Sequence, residues 1–131
     1  MRFLLDTHIL LWWFERNPRL TDEQREVLER ASVEAPLLLS DISLWEIATL
    51  FSLGRLKFDM PLEEWLSRAT AAPLVEKYRI TPDIARQVAQ LPDTFHRDPA
   101  DRIIVSTART TGATLLTADK KIIESKLVST L

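Results

Sequence analysis

The 131-residue sequence contains no cysteine and only two glycines. The lack of cysteine excludes disulfide bonds, thiolate metal sites and a cysteine nucleophile. Gly54 and Gly112 each follow a helical pattern, at a position where a left-handed backbone conformation is favoured. No glycine then remains for a phosphate-binding loop or a dinucleotide-binding fingerprint, because both need several glycines at fixed spacing. Chemistry that depends on ATP or NAD is therefore not expected.

The sequence also lacks an excess of basic residues and a long apolar run. Its 17 Lys and Arg residues stand against 19 Asp and Glu residues, giving a net charge of −2, whereas nucleic-acid-binding domains usually carry a basic patch. A phosphate-bearing partner would have to be held by local basic residues or by a metal ion. The apolar N-terminus is interrupted by Asp6 and His8 and is too short to span a bilayer. We expect a cytoplasmic protein with no membrane segment and a single domain over residues 1–131.

Short apolar segments of strand length alternate with longer helical patterns along the chain. The predicted strands are residues 3–5, 37–39 and 113–116, with weaker ones at 76–80 and 126–129. The helical patterns cover residues 7–15, 21–34, 41–53, 61–71, 81–91, 99–111 and 119–125. Strands that alternate with helices form parallel sheets with helical crossovers. The pattern therefore predicts a three-layer α/β/α sandwich around a central parallel sheet of four to five strands.

Two aspartates follow predicted strands, at the end of the strand where ligands bind in parallel sheets. Asp6 comes after the strand at residues 3–5, and Asp119 comes shortly after the strand at 113–116. Each residue could instead simply cap the helix that follows it. Both interpretations stay open for both aspartates on sequence position alone.

A third acid, Glu46, lies inside an apolar segment. The tetrapeptide Ser43-Leu44-Trp45-Glu46 matches a capping box, in which Glu46 would bond back to the Ser43 amide. If the helix starts earlier, at Ser40 or Asp41, then Glu46 lies among apolar residues on one helix face. A carboxylate there is costly unless it has a partner, so this second interpretation favours a functional role.

The segment HRDPADR, residues 96–102, contains two aspartates with different expected roles. Proline is favoured at the first helical position, so Asp98 is the natural N-cap and Asp101 lies in the first turn. Asp101 shares a helix face with the apolar residues three, four and seven positions later. Its carboxylate should therefore point toward the strand ends. A favourable charge against the helix dipole explains an acid in the first turn but not its place on the apolar face.

Carboxylates that meet in one cleft repel one another and raise one another's pKa unless a cation neutralises them. Oxygen ligands in a chain without cysteine suit Mg²⁺, with Mn²⁺ as the alternative, and Mg²⁺ also accepts substrate phosphates as ligands. The sequence therefore predicts a divalent-cation site formed by Asp6, Glu46, Asp101 and Asp119. Such an ion would supply the positive charge that the composition lacks.

The acids lie in sequence blocks that resemble the PIN domain family and, within it, the VapC-type toxins of bacterial toxin–antitoxin pairs. The blocks are FLLDTHILLWW, SDISLWEIATLFSLGRL, HRDPADRIIVSTA and LLTADKKI, in that order. The resemblance implies a Mg²⁺- or Mn²⁺-dependent endoribonuclease that hydrolyses RNA with a metal-activated water. It also implies a homodimer and inhibition by a cognate antitoxin. The acids of the family correspond to Asp6, Glu46, Asp101 and Asp119, with Asp98 as a frequent further acid in this subgroup.

Other interpretations of the same acids stay open. A PIN-like nuclease could process RNA precursors or act on DNA, and a non-catalytic binding protein could hold a structural ion. His8 and His96 could act as general bases, with polar surface as the alternative for each. Three basic residues beside the acids could contact RNA phosphates or simply be exposed: Arg102, Lys120 and Lys121.

The aromatic residues in the apolar helices are expected in the core rather than at an interface. They are Trp12, Trp13, Phe14, Trp45 and Phe51. The helical patterns that contain them are apolar nearly all round, which favours full burial or cover by a partner. A second copy of the chain or an antitoxin would be such a partner.

Overall fold

The computed structural model describes residues 1–71 and 73–131 and has a parallel four-stranded sheet at its centre. The strands are β1 (Phe3–Leu5), β2 (Leu37–Ser40), β3 (Val75–Tyr78) and β4 (Thr114–Leu116), in the spatial order β3-β2-β1-β4. The helices are α1 (Thr7–Glu15), α2 (Asp22–Glu29), α3 (Asp41–Ser52), α4 (Leu62–Ala69), α5 (Pro82–Gln90), α6 (Pro99–Thr111) and α7 (Lys120–Ser125). This arrangement confirms the predicted α/β/α sandwich with a parallel sheet.

Successive residues of the central strands pack on opposite faces of the sheet. Leu4 and Leu38 belong to one apolar cluster, together with side chains of α6 and α7. Leu5 and Leu39 belong to the other, together with side chains of α1, α2 and α4. Because side chains alternate across a strand and helices cover both faces, β1 and β2 are apolar at nearly every position. In these two strands, only the residues at the ends are left for polar chemistry.

The structure corrects two predicted elements. The helix expected at residues 21–34 ends at Glu29, since the chain turns back between Ser32 and Ala35 just ahead of Pro36. A proline disfavours helical backbone in the residue before it. The strand expected at residues 126–129 is wrong: α7 ends in the left-handed residue Lys126, and the chain reaches β4 only at a single bridge, between Thr130 and Leu115. The other elements begin and end within two residues of their predicted limits.

Both glycines have the left-handed backbone that the sequence predicts. Gly54 follows the end of α3 with a φ of 74°, and Gly112 caps α6 with a φ of 72°. The Gly112 amide donates to the carbonyl of Ala108 at 2.9 Å, which closes the last turn of α6. Each glycine therefore serves a helix end.

The aromatic residues of α1 and α3 divide between the core and the surface. Trp12 and Trp13 pack against the core as partly buried residues. Phe14, Trp45 and Phe51 are 44, 54 and 38% exposed, so the expectation of core burial is wrong for them. They lie on the outer sides of helices that are apolar nearly all round, and a helix can turn only one side to the sheet. Within residues 1–71 and 73–131, no helix has both the length and the apolar character to cross a membrane.

Candidate metal centre

Asp6 lies between the end of β1 and the start of α1, at the carboxyl edge of the sheet. Its Oδ1 accepts a hydrogen bond from the Thr7 amide at 2.8 Å, and its Oδ2 accepts one from the Thr117 hydroxyl at 2.7 Å. The residue is only 3% exposed. Burial raises the pKa of Asp6, and the nearby His8 and the two hydrogen bonds oppose this only in part. Asp6 does cap α1, but capping uses just one of its two oxygens.

Asp119 follows β4 and caps α7. Its Oδ1 accepts hydrogen bonds from the amides of Lys121 and Ile122, at 2.8 and 3.4 Å. The Asp119 amide donates to the Thr117 hydroxyl at 3.0 Å, and that hydroxyl in turn donates to Asp6. Thr117 therefore links the two aspartates that follow neighbouring strands. The capping hydrogen bonds use only Oδ1 of Asp119, so capping leaves Oδ2 available for another interaction.

Glu46 is not part of a capping box, because α3 begins earlier. Ser40 is the N-cap, and its hydroxyl accepts from the Ile42 amide at 3.2 Å. Ser43 lies inside the helix, where its hydroxyl bonds to that of Thr7 at 2.8 Å. Among the residues that the structure describes, no hydrogen-bond partner contacts the buried Oε1 of Glu46. A buried carboxylate oxygen without a partner is costly unless an ion or a water molecule satisfies it.

Asp98 and Asp101 make different contacts, and Asp98 is the N-cap that the sequence predicts. Asp98 caps α6, with its Oδ1 accepting from the Asp101 amide at 3.0 Å. Asp101 Oδ2 lies 2.6 Å from Nε2 of His96. Burial raises the pKa of Asp101 to about 6, against a lowering effect of the His96 hydrogen bond. Ligand atoms of His96, Asp101 and Asp119 lie within 4.8 Å of one another.

The acids predicted from four separate segments are close enough to perturb one another. Burial is the main cause of the raised pKa of Glu46, a side-chain hydrogen bond with Thr7 opposes it in part, and the charges of Asp6, Asp101 and Asp98 raise it further. Asp119 likewise contributes to the raised pKa values of Asp6 and Asp101. This mutual repulsion and the unpartnered Glu46 oxygen fit a divalent cation, which neutralises carboxylates and takes oxygen ligands. The residues present therefore fit a divalent cation.

His8 connects the start of α1 to the segment after β4. Its Nε2 accepts a hydrogen bond from the Ala118 amide at 2.9 Å. Because the amide is the donor in this contact, Nε2 is the acceptor, and the other ring nitrogen is Nδ1. That nitrogen lies 3.6 Å from Asp6 Oδ2. His8 therefore helps to hold the two strand ends together beside Asp6.

Arg102 is buried, so the expectation that it is simply exposed is wrong. It is 8% exposed, and its guanidinium donates to the carbonyls of Phe95 and His96 at 3.0 and 3.1 Å. These carbonyls lie in the loop before α6, where no helix or strand can satisfy them. Lys120 and Lys121 are exposed.

The fold and the site together define a class of protein: an α/β/α sandwich with a carboxylate cluster at the carboxyl edge of its parallel sheet. The family model described as PIN domain matches residues 3–126. The chain belongs to the PIN domain family. It is similar to Ribonuclease VapC22 of Mycobacterium tuberculosis, with 34% identity over 119 residues that make up 91% of this chain and 88% of that protein.

Solved structures with the same fold include two VapBC complexes. VapBC2 from Rickettsia felis, bound to a DNA fragment from its promoter, has a TM-score of 0.75 and 18% identity, with 100% of this chain and 98% of that chain covered. VapBC-1 from nontypeable Haemophilus influenzae has a TM-score of 0.72 and 17% identity, with 100% and 97% covered. These similarities extend over the whole length of the fold.

The carboxylate cluster predicts a pH dependence for the stability of the metal-free protein. The pKa of Asp101 is about 6 in the folded protein, against the ordinary value of 3.8. At a pH between these two values, Asp101 is protonated in the folded protein and ionised in the unfolded chain. The free energy of unfolding therefore falls as the pH rises through this range, and the raised pKa values of Asp6 and Glu46 act in the same direction. Thermal unfolding in EDTA should give a lower Tm at neutral pH than at mildly acidic pH.

Mg²⁺ should raise the Tm strongly at neutral pH and little at acidic pH, because a protonated cluster binds the ion poorly. Asp101→Asn should weaken the fall in Tm, whereas the exposed control Asp59→Asn should leave it unchanged. A Tm in EDTA that rises steadily from acidic to neutral pH would contradict the interpretation.

Proposed function

We propose that this protein is a divalent-metal-dependent endoribonuclease and the toxin of a type II toxin–antitoxin pair. The observation that carries the proposal is the carboxylate cluster with the unpartnered Oε1 of Glu46. The 34% identity to a protein named as a ribonuclease supports RNA as the substrate. The residues that would hold Mg²⁺, with Mn²⁺ as the alternative, are Asp6, Glu46, Asp101 and Asp119, with Asp98 as a further acid nearby.

The residues of the chain hold these carboxylates in fixed positions. Both oxygens of Asp6 are hydrogen-bonded, and Asp101 is held by His96. A rigid set of ligands keeps its geometry without paying for ordering when an ion binds. When bound, a divalent cation supplies Lewis acidity for the attack of water on a phosphodiester and stabilises the charge that develops. The products would be a 5′-phosphate and a 3′-hydroxyl.

A cognate antitoxin is the partner we propose for the exposed apolar surface of α1 and α3. Phe14, Trp45 and Phe51 are large apolar residues that a monomer leaves in water. Structures of similar fold are toxin–antitoxin complexes, among them one from Klebsiella pneumoniae. A homodimer through the same kind of surface stays a prediction. We propose that the protein acts in the cytoplasm, where its RNA substrate would be found.

The proposal is tested by RNA cleavage with the purified protein. EDTA should abolish cleavage of a labelled single-stranded RNA, and added Mg²⁺ or Mn²⁺ should restore it. Undiminished cleavage in EDTA would refute the metal dependence. If metal ions raise the Tm but no RNA is cut, the acids hold a structural ion. If DNA is cut and RNA is not, the protein is a nuclease of another class.

A further inference from the structure

A cleft of about 420 Å³ opens beside the carboxylate cluster. One wall is the segment between α5 and α6, and the other is α7 with the residues after it. The side chains used below are Thr94, Phe95 and His96 on the first wall and Lys121, Glu124 and Leu127 on the second. The volume lies within the range of small-molecule sites, which is large enough for one nucleotide.

Each wall of the cleft is bonded to one acid of the candidate metal centre. On the first wall, His96 Nε2 lies 2.6 Å from Asp101 Oδ2. On the second wall, the Lys121 amide donates to Asp119 Oδ1 at 2.8 Å. The cleft is therefore adjacent to the cluster. A polymer with one phosphate at the acids can extend directly into it.

Hydrogen bonds within the chain hold the first wall of the cleft in place. The Phe95 amide donates to the Pro92 carbonyl at 3.0 Å, and Arg102 donates to the carbonyls of Phe95 and His96. The Phe95 ring is 5% exposed and lies 4.4 Å from the His96 ring, between centroids. A wall fixed in this way lowers the entropic cost of binding. This accounts for the burial of Arg102, which the metal centre itself does not use.

The lining of the cleft suits a nucleotide. Lys121 supplies a positive charge for a phosphate, and Leu127 supplies an apolar surface for a base. Glu124 supplies an acceptor, and single-stranded RNA is recognised by stacking and by hydrogen bonds to exposed base edges. A carboxylate accepts best from two neighbouring N–H donors. Guanine offers such a pair on its Watson–Crick edge, and uracil does not.

We infer that this cleft is a subsite for the nucleotide next to the scissile phosphate, with Lys121 contacting phosphate and Glu124 favouring guanine. The inference rests on the proposed ribonuclease function. It adds to that function a site that recognises the base next to the cleaved phosphodiester.

The first test is cleavage of RNA oligonucleotides that differ at a single nucleotide. Lys121→Gln should raise KM by about three- to tenfold on every substrate, as expected for an exposed phosphate contact. Glu124→Gln should reduce the preference for guanine by about three- to tenfold while kcat on the best substrate changes little. The exposed controls Lys57→Gln and Glu34→Gln should leave both quantities unchanged. Unchanged KM and preference in both cleft variants would overturn the inference.

The second test does not need catalysis. GMP added in EDTA should shift the amide resonances of Thr94, Lys121 and Glu124 in NMR spectra, and UMP should shift them less. Glu124→Gln should remove that difference. If the wild-type protein cuts no RNA but these shifts occur, the proposed function fails and the nucleotide subsite stands. If RNA is cut and GMP leaves the cleft resonances in place, the subsite is refuted.

Discussion

Asp6→Asn is expected to reduce the rate of RNA cleavage by at least about 1,000-fold. This is as large as the reduction in rate that follows removal of a group that stabilises charge in a transition state. The amide oxygen of asparagine can still accept from the Thr7 amide, so α1 keeps its cap. The amide nitrogen would face the Thr117 hydroxyl, which can turn and accept instead of donating. The change removes a negative charge that burial makes unfavourable. The Tm in EDTA should therefore stay the same or rise while activity is lost.

The combination of lost activity and retained Tm is what separates chemistry from capping. Activity and thermal unfolding should be measured on the same preparations, with Asp59→Asn as an exposed control that changes neither. If Asp6→Asn cleaves RNA like the wild type, Asp6 is not part of the metal centre. If its Tm falls together with its activity, the hydrogen bonds of Asp6 are its main contribution.

The sheet was predictable because each strand is indicated by a few consecutive residues of the sequence. Residues 3–5 and 37–39 are apolar at consecutive positions, which is typical of strands with helices on both faces. The structure places Leu4 and Leu5 on opposite faces, in separate clusters. The helix starts at Asp6 and Asp98 were predictable for the same reason, since a cap depends on a few neighbouring residues. Nothing distant in the chain had to be known.

The role of Glu46 could not be predicted from the residues next to it in the sequence. Ser40 and Ser43 are both good N-cap residues, and they predict opposite roles for Glu46. The choice is made by tertiary contacts: Ser43 is fully buried and bonds to Thr7, which belongs to α1. With Ser43 inside the helix, Glu46 is brought near Asp6 and Asp101. A helix start three residues earlier thus turns a capping residue into a member of the cluster.

Arg102 and Trp45 were mispredicted for a related physical reason. The burial of Arg102 is compensated by two loop carbonyls, and the path of that loop is not visible in the sequence of α6. Trp45 is 54% exposed because α3 is apolar on more sides than the sheet can cover. The sequence indicates that such a helix needs cover. It does not indicate which side packs on the sheet.

Glu46→Gln is expected to lower the rate of RNA cleavage by at least about 100-fold. Replacing a residue that only supports a metal ligand lowers activity by about 100-fold at most, so a loss of this size indicates a direct ligand. It should also raise the Tm of the metal-free protein at neutral pH, because the charge of Glu46 no longer repels Asp6 and Asp101. Mg²⁺ should then raise the Tm less than it does in the wild type.

Glutamine keeps the length and shape of the side chain, so these changes test the charge and not the packing of α3. The measurements are thermal unfolding in EDTA and in Mg²⁺, and cleavage rates at saturating Mg²⁺, with exposed Glu34→Gln as the matched control. A general loss of stability would lower the Tm both in EDTA and in Mg²⁺. Loss of a metal ligand instead raises the Tm in EDTA, so that the difference in Tm between Mg²⁺ and EDTA becomes smaller. If the variant keeps the full Mg²⁺-dependent rise in Tm, Glu46 does not bind the ion, and its unpartnered oxygen must be satisfied by water.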